Sequence, residues 1–246
     1  MTAALETRGL SISFGGLKAV NAVSFSAARN QITTVIGPNG AGKTTLFNLI
    51  SGGLRPSGGA VLLEGRDVTG LGPAALHACG LARSFQITNL FFDLTLRENL
   101  GLAAQTLDPV IDAFLPVGRA GRAARKVEEL IERFGFGAKA HESVGALSHG
   151  EQRRLEIAMC LASEPRILML DEPTQGMSHT DTEETAKLIR SLSAEVTILL
   201  IEHDIGLVMS LSDHVVVMHQ GSKLSEGTPA AVRADPAVQA AYFGHG

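Results

Sequence analysis

The chain has 246 residues, 45% hydrophobic and 19% charged, with 27 glycines, two cysteines and a net charge of −4. That length builds one large domain or two small ones around a sizeable core, and the acidic balance excludes a protein drawn to nucleic acid by bulk charge. Cys79 and Cys160 form no C-x-x-C pair and no other metal-ligand spacing, which points to a reduced, cytosolic compartment.

The opening MTAALETRGL has no basic segment followed by an apolar one, so no targeting peptide is expected. Apolar runs such as VTILLI and HVVVMH fall far short of the roughly 20 residues that cross a bilayer. Any membrane role is therefore expected to come through a partner.

In chain order, QITTVIG reads as a buried strand and KTTLFNLIS as a helix stopped by Gly52-Gly53. AVLLEG reads as another strand. From about Thr88 to Leu147 the patterns are mostly helical: TLRENLGLAAQ, then AGRAARKVEELIERFG, where Val127, Leu130, Ile131 and Phe134 share a face and Gly135 ends the run. Between these, TLDPVIDAFLPVG carries two prolines and reads as loop. PRILMLDEP and AEVTILLIEHD are continuous apolar runs ending in carboxylates or His, as expected of central parallel strands. HVVVMHQGSKLSEG reads as a hairpin closed near Gln220-Gly221, and TPAAVRA starts a short helix with a Thr cap and Pro at its first position. No internal repeat, heptad run or low-complexity linker interrupts this pattern.

GPNGAGKTT, comprising Gly37, Pro38, Asn39, Gly40, Ala41, Gly42, Lys43, Thr44 and Thr45, matches G-x-x-x-x-G-K-[ST] between a strand and a helix. The glycines let backbone N–H groups converge on phosphates, Lys43 reaches the β and γ phosphates of a nucleotide, and Thr44 can ligate Mg²⁺. A chance Gly-rich turn is the alternative, and the flanking strand and helix argue against it. ILMLDE places Asp171 and Glu172 at a strand end, the first suited to indirect Mg²⁺ coordination and the second to polarising a water for attack on the γ-phosphate. Farther along, Ser148 and Glu151 in ALSHGEQRRLEIA have the S-x-x-E spacing of a capping box. A helix N-terminus of this kind attracts phosphate, although the turn itself has no lysine.

Taken together, Phe14, the P-loop, Gln86, LSHGE, ILMLDE and His203 resemble, in order and spacing, the motifs of ATP-binding-cassette (ABC) ATPases over essentially the whole chain. The resemblance implies an α/β fold: a P-loop NTPase (RecA-like) core with an antiparallel β subdomain and an inserted α-helical subdomain. Residues 1–86 and 160–246 would form the core, and about 87–159 the helical insert with the signature motif. Phe14 matches the aromatic that stacks on adenine, and is otherwise a core strand residue. Gln86 matches the glutamine that contacts Mg²⁺ and water, and is otherwise a surface amide. His203 matches the histidine that contacts the γ-phosphate. LSHGE resembles the family signature LSGGQ. In the family two chains pair head to tail, so Ser148, the Gly150 N–H and Glu151 would belong to a site completed by another chain's P-loop. That pairing accounts for the missing lysine.

Two positions depart from the family pattern. His149 replaces the first signature glycine, and Met177-Ser178 stand where the family usually has Leu-Asp, so Ser178 keeps hydrogen-bonding and capping capacity but no charge. LSHGEQRRLEIA, GMS, AVQAAYFG and ARSFQITNLFFDLTLRENLGLAAQ resemble the ATPases of branched-chain amino-acid-type importers and their relatives for urea, amides and small carboxylates. The partners this implies are a second ABC ATPase subunit, identical or homologous, two integral-membrane permeases and, indirectly, an extracytoplasmic solute-binding protein, with the chain peripheral on the cytoplasmic membrane face. Phe91 and Phe92 are candidates for a groove that docks a permease, or else they pack inside the insert. Competing functions are the motor of a lipopolysaccharide-type exporter, a soluble ABC protein acting on DNA or ribosomes, and a P-loop kinase. The last leaves the signature turn unexplained.

Overall fold

The computed structural model describes residues 3–84, 90–107 and 121–243. Its strands and helices run β1 (Ala3–Phe14), β2 (Leu17–Ala28), β3 (Ile32–Ile36), α1 (Lys43–Ile50), β4 (Gly58–Leu63), β5 (Arg66–Asp67), α2 (Pro73–Ala78) and β6 (Leu81–Arg83). There follow α3 (Leu96–Ala104), α4 (Arg122–Arg133), α5 (His149–Leu161), β7 (Ile167–Asp171), α6 (His179–Leu192), β8 (Thr197–Ile201), α7 (Ile205–Leu211), β9 (His214–His219), β10 (Ser222–Gly227), α8 (Pro229–Ala234) and α9 (Pro236–Phe243). These divide into two compact units: Met1–Arg83, Arg166–Pro173 and Ala186–Gly246 in one, Ser84–Pro165 and Thr174–Thr185 in the other.

The first unit holds two sheets. One is antiparallel, in the order β2-β1-β4-β5. The other has the order β10-β9-β3-β8-β7-β6, parallel throughout except where β10 returns antiparallel to β9. Every residue of β3, β7 and β8 is buried, which explains why β7 and β8 read as continuous apolar runs rather than as alternation, while β3 also buries Thr33 and Thr34. One face of the parallel sheet shares a core with the antiparallel sheet and α1, through Val35, Met169 and Leu199 with Leu46, Phe47, Leu5 and Val23. Val208, Val232 and Val238, from α7, α8 and α9, cluster with Ile36, Val215 and Val217. The β9–β10 hairpin turns at Gln220 and Gly221, both at positive φ, as a two-residue hairpin connection requires.

The second unit is mainly helical, and α3 packs on both α4 and α5. On α4 the buried residues are Val127, Leu130 and Ile131, with Phe134 buried just past its end and stacked on Phe136 at 5.8 Å. Capping sets the start of α3: the Thr95 side chain accepts from the Glu98 N–H while Glu98 accepts from the Thr95 N–H. Phe91 and Phe92 are exposed. Most of TLDPVIDAFLPVG lies outside the described residues, as does Gln86.

Thr95→Ala removes one half of the α3 capping box and is expected to destabilise the helical unit by about 1 kcal/mol, with Thr95→Ser retaining most of that stability. Urea unfolding followed by far-UV circular dichroism measures both.

Candidate functional site

Fully buried parallel strands carry charged residues only where they emerge. In register, Val35 of β3 and Asp171 of β7 both pair with Ile201 of β8. The residues just beyond these positions are therefore neighbours at one edge: Gly37 after β3, Glu172 after β7, and His203 two residues past Ile201. This carboxyl edge, where β3 lies between β8 and β9, is where open α/β sheets take ligands.

The Gly37–Thr45 loop joins β3 to α1. Gly42 precedes the helix at φ 97° with no side-chain hydrogen bond capping it. A Cβ there would come within 2.4 Å of the Ala19 carbonyl oxygen, and one at Gly37 within 2.3 Å of the Met218 carbonyl oxygen. Both glycines thus let neighbouring backbone press against the loop from outside. Lys43 is buried, and its ammonium donates to the carbonyls of Gly37 (2.7 Å) and Pro38 (3.2 Å). Burial lowers its pKa, and the charges of Glu172 and Asp171 act in the opposite direction. Lys43 therefore sits within electrostatic reach of both carboxylates. Thr44, Asn39 and Gly40 are exposed.

Asp171 ends β7 and is 2% exposed, and its Oδ2 accepts from Arg83 Nη2 at 3.1 Å. Glu172 follows in the left-handed region at φ 48°, with its N–H donating to the Ile201 carbonyl at 3.0 Å. A bulky residue in that conformation costs of order 1 kcal/mol or more and occurs most often at functional sites. The strain turns Glu172 out of the strand, and its Oε1 lies 3.8 Å from His203 Nδ1. His203 is exposed and precedes α7, whose Asp204 cap accepts from Leu207. Phe14, at the end of β1 opposite Leu17, is half exposed, so it is not the core residue its strand pattern allowed.

The second unit carries the other candidate residues. Ser148 caps α5, accepting from the Glu151 N–H, and Glu151 accepts from the Ser148 N–H at 2.9 Å. Lys139 reaches Glu151 Oε1 at 2.7 Å. Burial disfavours the Glu151 carboxylate, but the bonds from Lys139 and Ser148 outweigh it and hold its pKa below the ordinary value. A lysine thus does reach this turn, from a neighbouring 3₁₀ turn (Gly137–Lys139), although it bonds the capping carboxylate. Gly150 is buried, and a Cβ on it would lie 3.0 Å from Asp181 Cγ. Ser178 accepts from the Asp181 N–H and donates to Asp181 Oδ2 at 2.7 Å, so it caps α6. His149 is exposed, and its Nε2 would lie 3.8 Å from a Cβ at Gly176.

Sequence reasoning missed Arg83 and Asp181. Arg83 lies in the stretch ARSFQITNLFFDLTLRENLGLAAQ, but the resemblance implies no role for it, and its own signal is a cation at the end of a short apolar stretch. Asp181 lies three residues past the position where a carboxylate was sought. Among the described residues no group of three or more His, Cys, Asp or Glu is placed to hold a metal ion. The oxygen donors Thr44 and Asp171 suit Mg²⁺ instead, which is commonly held by one or two protein ligands together with substrate phosphates.

Gly42→Ala places a Cβ against backbone at a positive φ and is expected to destabilise the chain by more than about 1 kcal/mol, read as a lowered urea midpoint.

Comparison with known proteins gives consistent matches. A family model described as ABC transporter matches residues 20–175, and one described as branched-chain amino acid ATP-binding cassette transporter matches residues 222–246. The high-affinity branched-chain amino acid transport ATP-binding protein BraF of Pseudomonas aeruginosa is 44% identical, covering 98% of this chain and 97% of its own. LivG of Escherichia coli, with the same description, is 41% identical over the same shares of the two chains. Among solved structures, an ATP-binding cassette of an ABC transporter in its ADP conformation is similar with a TM-score of 0.87 at 30% identity, covering both chains completely. A nucleotide-free cassette is similar with a TM-score of 0.85 at 30% identity, covering 99% of this chain and 100% of that one.

Proposed function

The chain belongs to the ATP-binding subunits of the ABC transporter family, in the branch of the branched-chain amino-acid transport ATP-binding proteins, and from that membership we propose that it powers uptake of a branched-chain amino acid or a related amide, urea or carboxylate. As a member of that family it is an ATPase. Among the described residues no helix is long and apolar enough to cross a membrane, so in this reading two partner permeases form the path and the chain sits against their cytoplasmic face. The exposed Phe91 and Phe92 are then the apolar part of that contact.

The strongest support for the catalytic assignment is the convergence of Lys43, Asp171, Glu172 and His203 at one sheet edge. In the proposed mechanism Phe14 stacks on the adenine. The N–H groups from Gly40 to Thr45 and the Lys43 ammonium take the β and γ phosphates. To do so Lys43 exchanges its bonds to the Gly37 and Pro38 carbonyls for phosphate oxygens. Glu172 receives the proton of the attacking water, and His203, beside it, contacts the γ-phosphate. Thr44 and Asp171 would hold Mg²⁺, together with Gln86, whose role rests on resemblance alone. Bound Mg²⁺ supplies neutralisation of the charge that builds on the phosphate oxygens.

The signature turn acts in a head-to-tail dimer. Ser148 and the Gly150 N–H of one subunit meet the γ-phosphate held by the other, and the Thr95 and Ser148 caps fix the helices around them. Closure on ATP and reopening after hydrolysis would move the permeases between their two states. His149 then lines the interface where the family has glycine.

Glu172→Gln is expected to bind ATP, to turn over very slowly and to accumulate as a closed dimer on size-exclusion chromatography. Rapid turnover by that variant in a purified ATPase assay removes Glu172 from its role. Ser148→Arg is expected to leave ATP binding to the isolated subunit intact and to abolish hydrolysis. Equal loss of both in a binding titration means that the signature works in cis.

A further inference from the structure

We propose that Arg83 is a positioning residue for Asp171, holding its carboxylate in the orientation that receives Mg²⁺·ATP at the carboxyl edge of the sheet. The inference rests on the site assignment above and extends it to a residue to which the family resemblance gave no role.

Arg83 ends β6, in parallel register with Met169 of β7, two residues before Asp171. Its side chain is 8% exposed. Nη1 donates to Asn48 Oδ1 and to Ser51 Oγ, both at 2.7 Å, and Nη2 donates to Asp171 Oδ2 at 3.1 Å. The guanidinium also lies 5.8 Å from the centre of the Phe47 ring. Phe47 and Asn48 are on α1 and Ser51 caps its end, so one cation joins the P-loop helix, the end of β6 and the carboxylate at the end of β7.

A guanidinium suits this task because its donors are spread over a rigid fork. Two donors grip neutral oxygens of α1, which fixes the plane of the group, and the other nitrogen then pins Asp171. A lysine ammonium presents its three donors from one rotating centre and fixes no plane. Packing alone does not call for an ion pair here, since well-packed apolar residues of similar volume are often as stable as a buried pair.

Electrostatics points the same way. Lys43 feels the charges of both Asp171 and Glu172. With Arg83 in place, Asp171 is bonded to a cation fixed in the core.

The test titrates Mg²⁺ against binding of a fluorescent ATP analogue, with a parallel titration in excess EDTA, for the wild type, Arg83→Met, Arg83→Lys, Asp171→Asn and the double variant. Arg83→Met is expected to keep metal-free affinity and to need about 10–100-fold more Mg²⁺ for half-maximal tightening, the usual range when a partner behind a metal ligand is removed. Arg83→Lys is expected to fall between the two, and the double variant to match Asp171→Asn alone, since residues acting through one contact are not additive. Metal-free binding shows that each variant is folded. Equal weakening with and without Mg²⁺ overturns the proposal in favour of a role confined to α1. An unchanged Mg²⁺ response in Arg83→Met, or additive losses in the double variant, overturns it as well. If Asp171→Asn itself keeps the wild-type response, the assignment of Asp171 falls and Arg83 with it. If Asp171→Asn is impaired and Arg83→Met is not, the inference about Arg83 alone falls.

Discussion

The burial of β3, β7 and β8 along their whole length is the constraint on which the rest depends. A strand covered on both faces has no place for a charged side chain in its body, because an unpaired charge in the core costs several kcal/mol. Charge is therefore displaced to the point where each strand leaves the sheet. Since the strands are parallel and in register, those points coincide, and the P-loop, the Asp171–Glu172 pair and His203 meet at one edge. The strand ends that carry the P-loop and the acidic pair cannot slide past one another without unpairing apolar strands.

Two helix N-termini are treated in opposite ways. At α1 the residue before the helix is a left-handed glycine with no side chain to cap it, and the first turn carries no acid. Its N–H groups and positive dipole end remain for a polyanion. At α5 Ser148 and Glu151 form a complete capping box, and Glu151 is itself paired with Lys139. That turn is pre-set by its own side chains, and in the proposed head-to-tail dimer it would meet the partner's phosphate already formed. Asp181, close to Gly150 and tied to Ser178, connects this turn to the segment that follows the acidic pair in sequence. The missing aspartate at Ser178 is thus accompanied by a carboxylate one turn later, directed at this chain's own signature turn.

The backbone carries the cost of the site where side chains cannot. Glu172 is held left-handed by its N–H bond to Ile201, which swings its carboxylate away from the strand axis toward His203. Asp171, one residue earlier, stays in the strand and turns inward to Arg83. Adjacent carboxylates thereby point to different partners, as the separate roles proposed for them require.

By itself the sequence determined whatever is local or periodic. The P-loop with its strand and helix, the apolar central strands, the Gln220-Gly221 hairpin, the buried face of α4 and the Ser148 capping box depend on neighbours within a few residues, and their chemistry is written in adjacent letters. The motif order also carried the family, because six short patterns at set distances are far more specific than any one of them. Tertiary structure alone decided which distant groups share an electrostatic environment. Lys139 reaches Glu151, Asp181 abuts Gly150, Arg83 binds Asp171 across 88 positions of sequence, and Thr174–Thr185 sorts with the helical unit. None of these follows from spacing, since each is set by how strands and helices pack, and a side chain's partner in a core is chosen by geometry and the need to satisfy buried polar atoms.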